Sequence, residues 1–458
     1  MDPLTFTLAS LVTLLLLAAF GAWTYTSWRV GVWLGMVIFV CRAVWVTIVS
    51  VDFGPVNVYP DDILFGLLAF VAVARLIHDV DLAVQRLPWL ALGLIAVVSL
   101  YMGVNEFGTK LAGNEARRFF YFYIAVLYVS SFRLGPKALR QFVRMLNYVS
   151  LALLALAVVR WVQGIAGIAP ESQFLGRIDP NPDELPSLFR VLFHNEALFL
   201  CQVLLINLWY LLRTQSRKAR VYVALLFPAV VILQHRTIWV VLVILAAGMI
   251  FRNALRTKAI PYLVGAVLIL GIASVALIKS NQLQAVTEAL ARSADEPIVN
   301  DRSTFSWRVE GWQRLLDRPL ADLATGDPFG AGYARVVQGT RVDYSPHNDY
   351  IEVLLRVGIG GLLILLITYG QVLRRGRLLE ESFSEARILF FIIASQLVYY
   401  VTYPPEFEQG LILGFCVAMT VGPLGERVAW RRWPRIRTWV RQRQPLPAAE
   451  PGQLRQEA

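Results

Sequence analysis

Apolar stretches of about 15–24 residues recur along nearly the whole chain, at 4–23, 30–50, 61–77, 87–104, 117–132, 145–163, 196–212, 221–234, 237–251, 260–278, 350–373, 387–403 and 410–425. A helix needs ~20 residues to cross a ~30 Å hydrocarbon core, and within lipid only helices or closed barrels satisfy every backbone N–H and C=O. The pattern predicts an all-α polytopic membrane protein with 12–13 transmembrane helices, the first pair being the least sharply delimited. Composition agrees: 57% of the 458 residues are hydrophobic and 16% charged, against roughly 45–50% and about 25% in soluble domains. A water-soluble enzyme, or one with a single anchor, is excluded.

The formal net charge of +11 raises the question of partners. Short basic gaps (Arg133, Lys137, Arg140, Arg144; Arg213, Arg217, Lys218, Arg220; Arg252, Arg256, Lys258) alternate with acidic ones (Asp52, Asp61, Asp62; Glu171, Asp179, Asp183, Glu184; Glu406, Glu408). Positive-inside logic puts the basic gaps in the cytoplasm and the acidic gaps outside. The surplus charge is then a topological gradient with a net-acidic outer face. The tail 426–458, rich in arginine and then in Pro and Gln, reads as a disordered cytoplasmic stop signal lying on anionic headgroups, with no nucleic-acid partner. The expected organisation is a membrane domain 1–278, a periplasmic segment 279–349, a membrane domain 350–425 and the tail. A segment as long as 279–349 is usually functional. The spacing of apolar residues predicts short helices over 283–293 and 305–317.

Cys41, Cys201 and Cys416 all lie in apolar stretches and read as small buried hydrophobes, not as disulfide or metal ligands. The N-terminus has no positive n-region before Leu11–Phe20, so the first stretch reads as a retained helix. Of the four histidines, His78 falls in a cytoplasmic turn, while His194, His235 and His347 fall at outward ends of spans. Each has arginine nearby: Arg190, Arg236, and Arg335 with Arg341. Neither HxxxH nor HExxH occurs, which argues against zinc. Arg236, in Leu-Gln-His-Arg-Thr-Ile-Trp, either snorkels from a helix end or lines an outward-opening pocket. Arginines converging on one side of a membrane suit an anionic ligand such as a lipid-linked pyrophosphate, because a guanidinium forks onto phosphate and stays charged. His347 and Asn348 sit at a helix start, where Asn348 suits an N-cap and free N–H groups favour anions. His347 titrates near neutrality when unperturbed. Asp61 and Asp62 after Tyr59-Pro are either a catalytic acidic cluster with Asp52 or a dipole-complementing helix start.

The run from His347-Asn348-Asp349-Tyr350 to Arg356-Val357-Gly358-Ile359-Gly360-Gly361, opening a membrane helix after a long outer loop, resembles the histidine-asparagine motif of the bacterial O-antigen ligase and polymerase family. Arg308 and Trp312 match that family's arginine with tryptophan four positions on, and Gly330-Ala331-Gly332-Tyr333 matches its Gly-x-Gly. His235 stands where the family usually has serine before the arginine, and Phe193-His194-Asn195-Glu196 lacks the Asn-Pro-Asn form. The resemblance covers 185–375. It implies an inverting, metal- and cofactor-independent transfer of a glycan from undecaprenyl pyrophosphate to an acceptor such as lipid A–core, at the periplasmic face of the inner membrane. Ligases, repeat-unit polymerases and protein oligosaccharide transferases share the pattern. In that frame Arg236 and Arg308, with Arg190 as a third, hold the pyrophosphate, and His347 orients or deprotonates the acceptor. His194, His235, Asn348, Trp312 and Tyr333 serve substrate binding. Trp307 and Trp312 either stack on sugars or seat the segment in the interface. A transporter is the rival of another class. Its sites tend to lie at the midplane, whereas Arg42 and Arg160, the charges inside spans, lie within about two turns of an end.

Overall fold

The computed structural model describes residues 3–44, 51–52, 57–165, 191–254 and 304–421. Twelve of the thirteen apolar stretches lie wholly or in part within these residues, and each forms a helix there: α1 (Pro3–Thr26), α2 (Trp28–Val44), α3 (Pro60–His78), α5 (Leu87–Phe107), α6 (Thr109–Ser130), α7 (Pro136–Ile165), α8 (His194–Thr214), α9 (Arg217–Ile232), α10 (Arg236–Ala254), α13 (Asp349–Ser382), α14 (Arg387–Tyr399) and α15 (Phe407–Val421). A short α4 (Val80–Gln85) joins α3 to α5. The stretch 260–278, the expected helix 283–293, Arg190 and the tail lie outside the described residues. Four helices (Leu87–Phe107, Pro136–Gln163, His194–Thr214 and Asp349–Glu380) are long and apolar enough to cross a membrane by themselves, and α1 with α2 forms a pair bent by 118°. Among the described residues, the other expected spans are each short or charged near one end.

Local rules set the helix starts. Tyr59 precedes Pro60 at the first position of α3, and the Asp62 carboxylate accepts the Tyr59 N–H at 2.8 Å, a capping arrangement that accounts for Asp62. Asp61 pairs with Arg42 at 3.5 Å, and Arg42 with Glu406 at 3.5 Å. Arg160 donates to Val191 O at 2.7 Å and also to Ala43 O. The charges inside spans thus cross-link helices.

Helices α6 and α15 form the centre of the bundle. A Cβ at Gly410 would lie 2.5 Å from Phe122 O, and one at Gly414 2.7 Å from Val126 O, so the Gly-x-x-x-Gly spacing lets two backbones touch. Buried amides tie α8, α14 and α15: Gln202 Nε2 donates to Ser395 Oγ at 3.0 Å and Gln409 Oε1 at 2.9 Å, and Gln396 Nε2 to Gln409 O at 3.0 Å. Large apolar side chains face outward on the bundle surface, Phe70 being 73% and Ile77 74% exposed. That surface requires lipid, not water, as its solvent.

The segment before α13 departs from a purely helical expectation. The predicted helix at 305–317 is present as α11 (Thr304–Leu316), followed by α12 (Leu320–Thr325). Then comes a hairpin of β3 (Arg335–Val337) and β4 (Thr340–Val342), with Arg335 opposite Val342. Its turn residues, Gln338 and Gly339, both have positive φ, 47° and 80°, the mirror-image turn that fits strand twist. A second, two-residue hairpin pairs β1 (Val51–Asp52) with β2 (Asn57–Val58).

Candidate active site

The loop Ser345-Pro346-His347-Asn348 is held from several sides. Asn348 caps α13, its Oδ1 accepting the Ile351 N–H at 3.2 Å, and the Asp349 N–H donates to Tyr400 O at 2.9 Å. Trp312 Nε1 donates to Pro346 O at 2.7 Å, and Arg335 Nη1 to Tyr344 O at 2.8 Å. Ser345 Oγ donates to Glu352 Oε2 at 2.8 Å, and Glu352 is ion-paired with Arg118 of α6. These ties keep His347 at φ 51°, a left-handed conformation that a non-glycine residue keeps only when its surroundings impose it.

Tyr403, in the turn after α14, is the hub. The His194 ring stacks on it at 4.0 Å and 16°, His347 meets it edge-on at 6.0 Å, and the Arg308 guanidinium lies over its face at 5.1 Å. His194 Nδ1 also shares a hydrogen bond with the Tyr399 hydroxyl at 2.5 Å. Thr402 Oγ1 meets Thr237 Oγ1 at 3.1 Å, bringing the start of α10, and so Arg236, to the same end. His235 Nε2 lies 2.9 Å from Leu192 O. Arg308 and Trp312 are four apart on α11 and share a face, which explains why both serve this loop.

Burial, with the Arg308 and Arg118 guanidiniums adding to it and Glu352 opposing, pulls the His347 imidazole down to about 4. At neutral pH it is uncharged and has a lone pair to accept a proton.

Of the residues singled out from sequence, His347, Arg308, His194, Asn348 and Trp312 are assembled directly, with Arg236 and His235 joined through Thr237. Tyr333 is set apart. It is 6% exposed, packs with Leu315, Ile351 and Leu355, and carries the Arg356 guanidinium over its ring at 4.3 Å, so its visible role is to support the loop. Arg190 lies outside the described residues. Sequence reasoning passed over Tyr399, Thr402, Tyr403 and Arg118. A Tyr-Pro-Pro turn and one charge near a span end carry no periodic signal, although Glu352 stood inside the quoted motif.

A family model described as O-antigen ligase matches residues 202–366, an interval containing Arg236, Arg308, Trp312, His347 and Asn348. No curated protein matches the chain. The helices show a multi-pass membrane protein, and its stretch 202–366, with the histidine-asparagine helix start, is similar to the O-antigen ligase family.

Proposed function

We propose that the protein is an O-antigen ligase, a glycosyltransferase that moves an O-antigen or related glycan from undecaprenyl pyrophosphate to lipid A–core without a metal. The observation that carries this reading is Tyr403, which gathers a guanidinium, Arg308, and an uncharged imidazole, His347, around one ring. One group suits a leaving pyrophosphate and the other an acceptor hydroxyl. The acceptor oxygen attacks the anomeric carbon while the bond from that carbon to the pyrophosphate oxygen breaks. The bonding pair leaves with the pyrophosphate and the hydroxyl proton passes to His347. Inversion follows from this single displacement. Arg236 and Arg308, with Arg190 as a third, stabilise charge developing on the leaving group, and the loss of one such preorganised donor typically costs ~10²–10³ in rate. His347, as the base, contributes ~10²–10⁴.

The alternation of basic and acidic gaps supports a bacterial inner-membrane location with the site facing the periplasm. A repeat-unit polymerase or a protein oligosaccharyltransferase would use the same donor chemistry with a different acceptor. Mass spectrometry of lipid A-linked and carrier-linked glycans, with and without the gene, separates these readings. Glycan on lipid A only when the gene is present is the expected result, and longer carrier-linked chains with unmodified lipid A would establish the polymerase. Transfer by purified protein should survive EDTA; activity lost and regained only with a divalent cation would sink the metal-free mechanism.

A further inference from the structure

Arg236 opens α10, and the backbone that carries it is held on both sides. Gln234, two residues before it, is 2% exposed and has φ 54°, a left-handed conformation that a non-glycine residue keeps only where its surroundings impose it. The carbonyl of Leu192 can only accept, so His235 Nε2, 2.9 Å away, donates to it and ties the segment to the chain leading into α8. On the other side Thr237 Oγ1 lies 3.1 Å from Thr402 Oγ1. Ile238, next along, is fully buried and anchors the first turn of α10 in the bundle.

Thr402 belongs to the turn that carries Tyr403. Its Oγ1 is also 3.0 Å from Tyr399 O, the carbonyl that accepts the N–H groups of Thr402 at 3.0 Å and of Tyr403 at 3.1 Å. Pro404 and Pro405 follow and are buried, and a proline fixes its own φ and restricts the residue before it. Two consecutive side chains of one stiff turn thus serve two elements. Thr402 meets the start of α10, while Tyr403 gathers His194, His347 and Arg308. In an inverting displacement, the groups that grip the leaving pyrophosphate and the base at the acceptor lie on opposite sides of the anomeric carbon, so their separation has to be fixed. Misplacing a reacting group by about 1 Å can cost ~10²-fold in rate.

We infer that Thr402 is a positioning residue for glycan transfer: through the Thr237 hydroxyl it fixes the start of α10, and with it Arg236, against the turn that carries the His347 side of the site. The inference rests on the glycan-transfer reading above and adds to it how the leaving-group half and the acceptor half are kept in register. His235, bound to Leu192 O, is the second tie on the same segment.

The test uses full-length protein in detergent, with undecaprenyl-pyrophosphate-linked glycan and lipid A–core varied independently. Thr402→Val keeps the shape and removes the hydroxyl. It should lower kcat about three- to tenfold, the rate equivalent of one neutral hydrogen bond, and weaken inorganic pyrophosphate binding, read by thermal stabilisation, by a similar factor. The KM for lipid A–core should stay within about twofold. Thr402→Ser retains the hydroxyl and should restore both kcat and pyrophosphate binding. On an Arg236→Lys background, Thr402→Val should cost less than about twofold, because the fork it positions is already gone. Thr237→Val removes the other hydroxyl and should repeat the split, which keeps the test decisive if Thr402→Val folds poorly. A folded Thr402→Val with parental kcat and parental pyrophosphate binding overturns the inference. So does a serine variant as impaired as the valine one, or the full loss on the Arg236→Lys background. A parental protein that transfers nothing would instead refute the functional reading, and the pyrophosphate comparison of parent with Thr402→Val would then decide the positioning role by itself.

Discussion

Gly358 interrupts α13 with φ 67° and ψ −175°, a region essentially reserved for glycine and costing other residues ~1–3 kcal/mol. Here the bend has a partner. The Asp327 N–H donates to Leu355 O at 2.6 Å, so the break in the helix is where the segment preceding His347 docks. An added Cβ would lie 2.2 Å from Ala324 O and 2.9 Å from the carbonyl carbon of Thr325, all backbone. No side-chain rotation relieves that clash, and moving main chain in a packed region costs a further ~1–3 kcal/mol. Gly358→Ala should therefore destabilise the folded protein by about 4 kcal/mol and loosen the contacts holding Arg356 to Gly332. Gly360→Ala, two residues on, meets nothing within 4 Å and should be neutral or stabilising by ~0.5–1 kcal/mol. Denaturant unfolding in detergent, paired with a glycan-transfer assay, compares the two. Equal unfolding midpoints for Gly358→Ala and the parent would refute the account of the kink.

Three further outcomes follow from the site. Because burial and the guanidiniums hold His347 down to about 4, the neutral, proton-accepting form persists far below neutrality. The acid limb of kcat/KM, which reports the free enzyme, should lie near that value; a limb at about 6.5, the ordinary value, would refute the lowering of His347 by its buried, cationic surroundings. Arg236→Lys keeps the charge but loses the planar fork and should lower kcat by ~10²–10³; parental turnover would return Arg236 to a snorkelling role. Asn348→Ala removes the cap on α13 and should cost about 1 kcal/mol, with a fall in kcat as the loop carrying His347 loosens. Unfolding curves and turnover check both halves, and a variant matching the parent in each would refute the capping role.

The spans were legible because an apolar run of helical length is a local signal, independent of what packs against it. All twelve stretches that reach into the described residues form helices there for that reason. Arg308 with Trp312, four apart, and Asn348 before an apolar run were legible in the same way. What escaped was long-range. Arg118 meets Glu352 across 234 positions, and Tyr403 acquires its role only when the ends of α8, α11 and α13 converge on it. The β3–β4 hairpin left one local trace, Gln338-Gly339 between short apolar runs, within a segment whose helical spacing dominated the expectation. The close approach of α6 and α15 depends on the spacing of Gly410 and Gly414, which shows its meaning only once Phe122 and Val126 lie opposite.

The cations at this end of the molecule divide by partner. Arg42 is matched to Asp61 and Glu406, Arg117 to Asp62 at 3.0 Å, Arg118 to Glu352, and Arg356 to Glu115. Among the described residues Arg308 forms no ion pair and lies over the Tyr403 ring instead. A ring restrains a guanidinium through its face and leaves the N–H edge free for an anion, whereas a carboxylate occupies that edge. This separates binding arginines from structural ones by a difference that net charge cannot reveal. Arg308→Lys should therefore weaken inhibition of transfer by inorganic pyrophosphate at least about tenfold, since lysine neither stacks flat nor forks. Arg117→Lys, altering a pair already closed on Asp62, should leave that inhibition unchanged. Equal losses in the two variants would mean that pyrophosphate responds to the summed field of the surface and that Tyr403 presents no particular arginine to it.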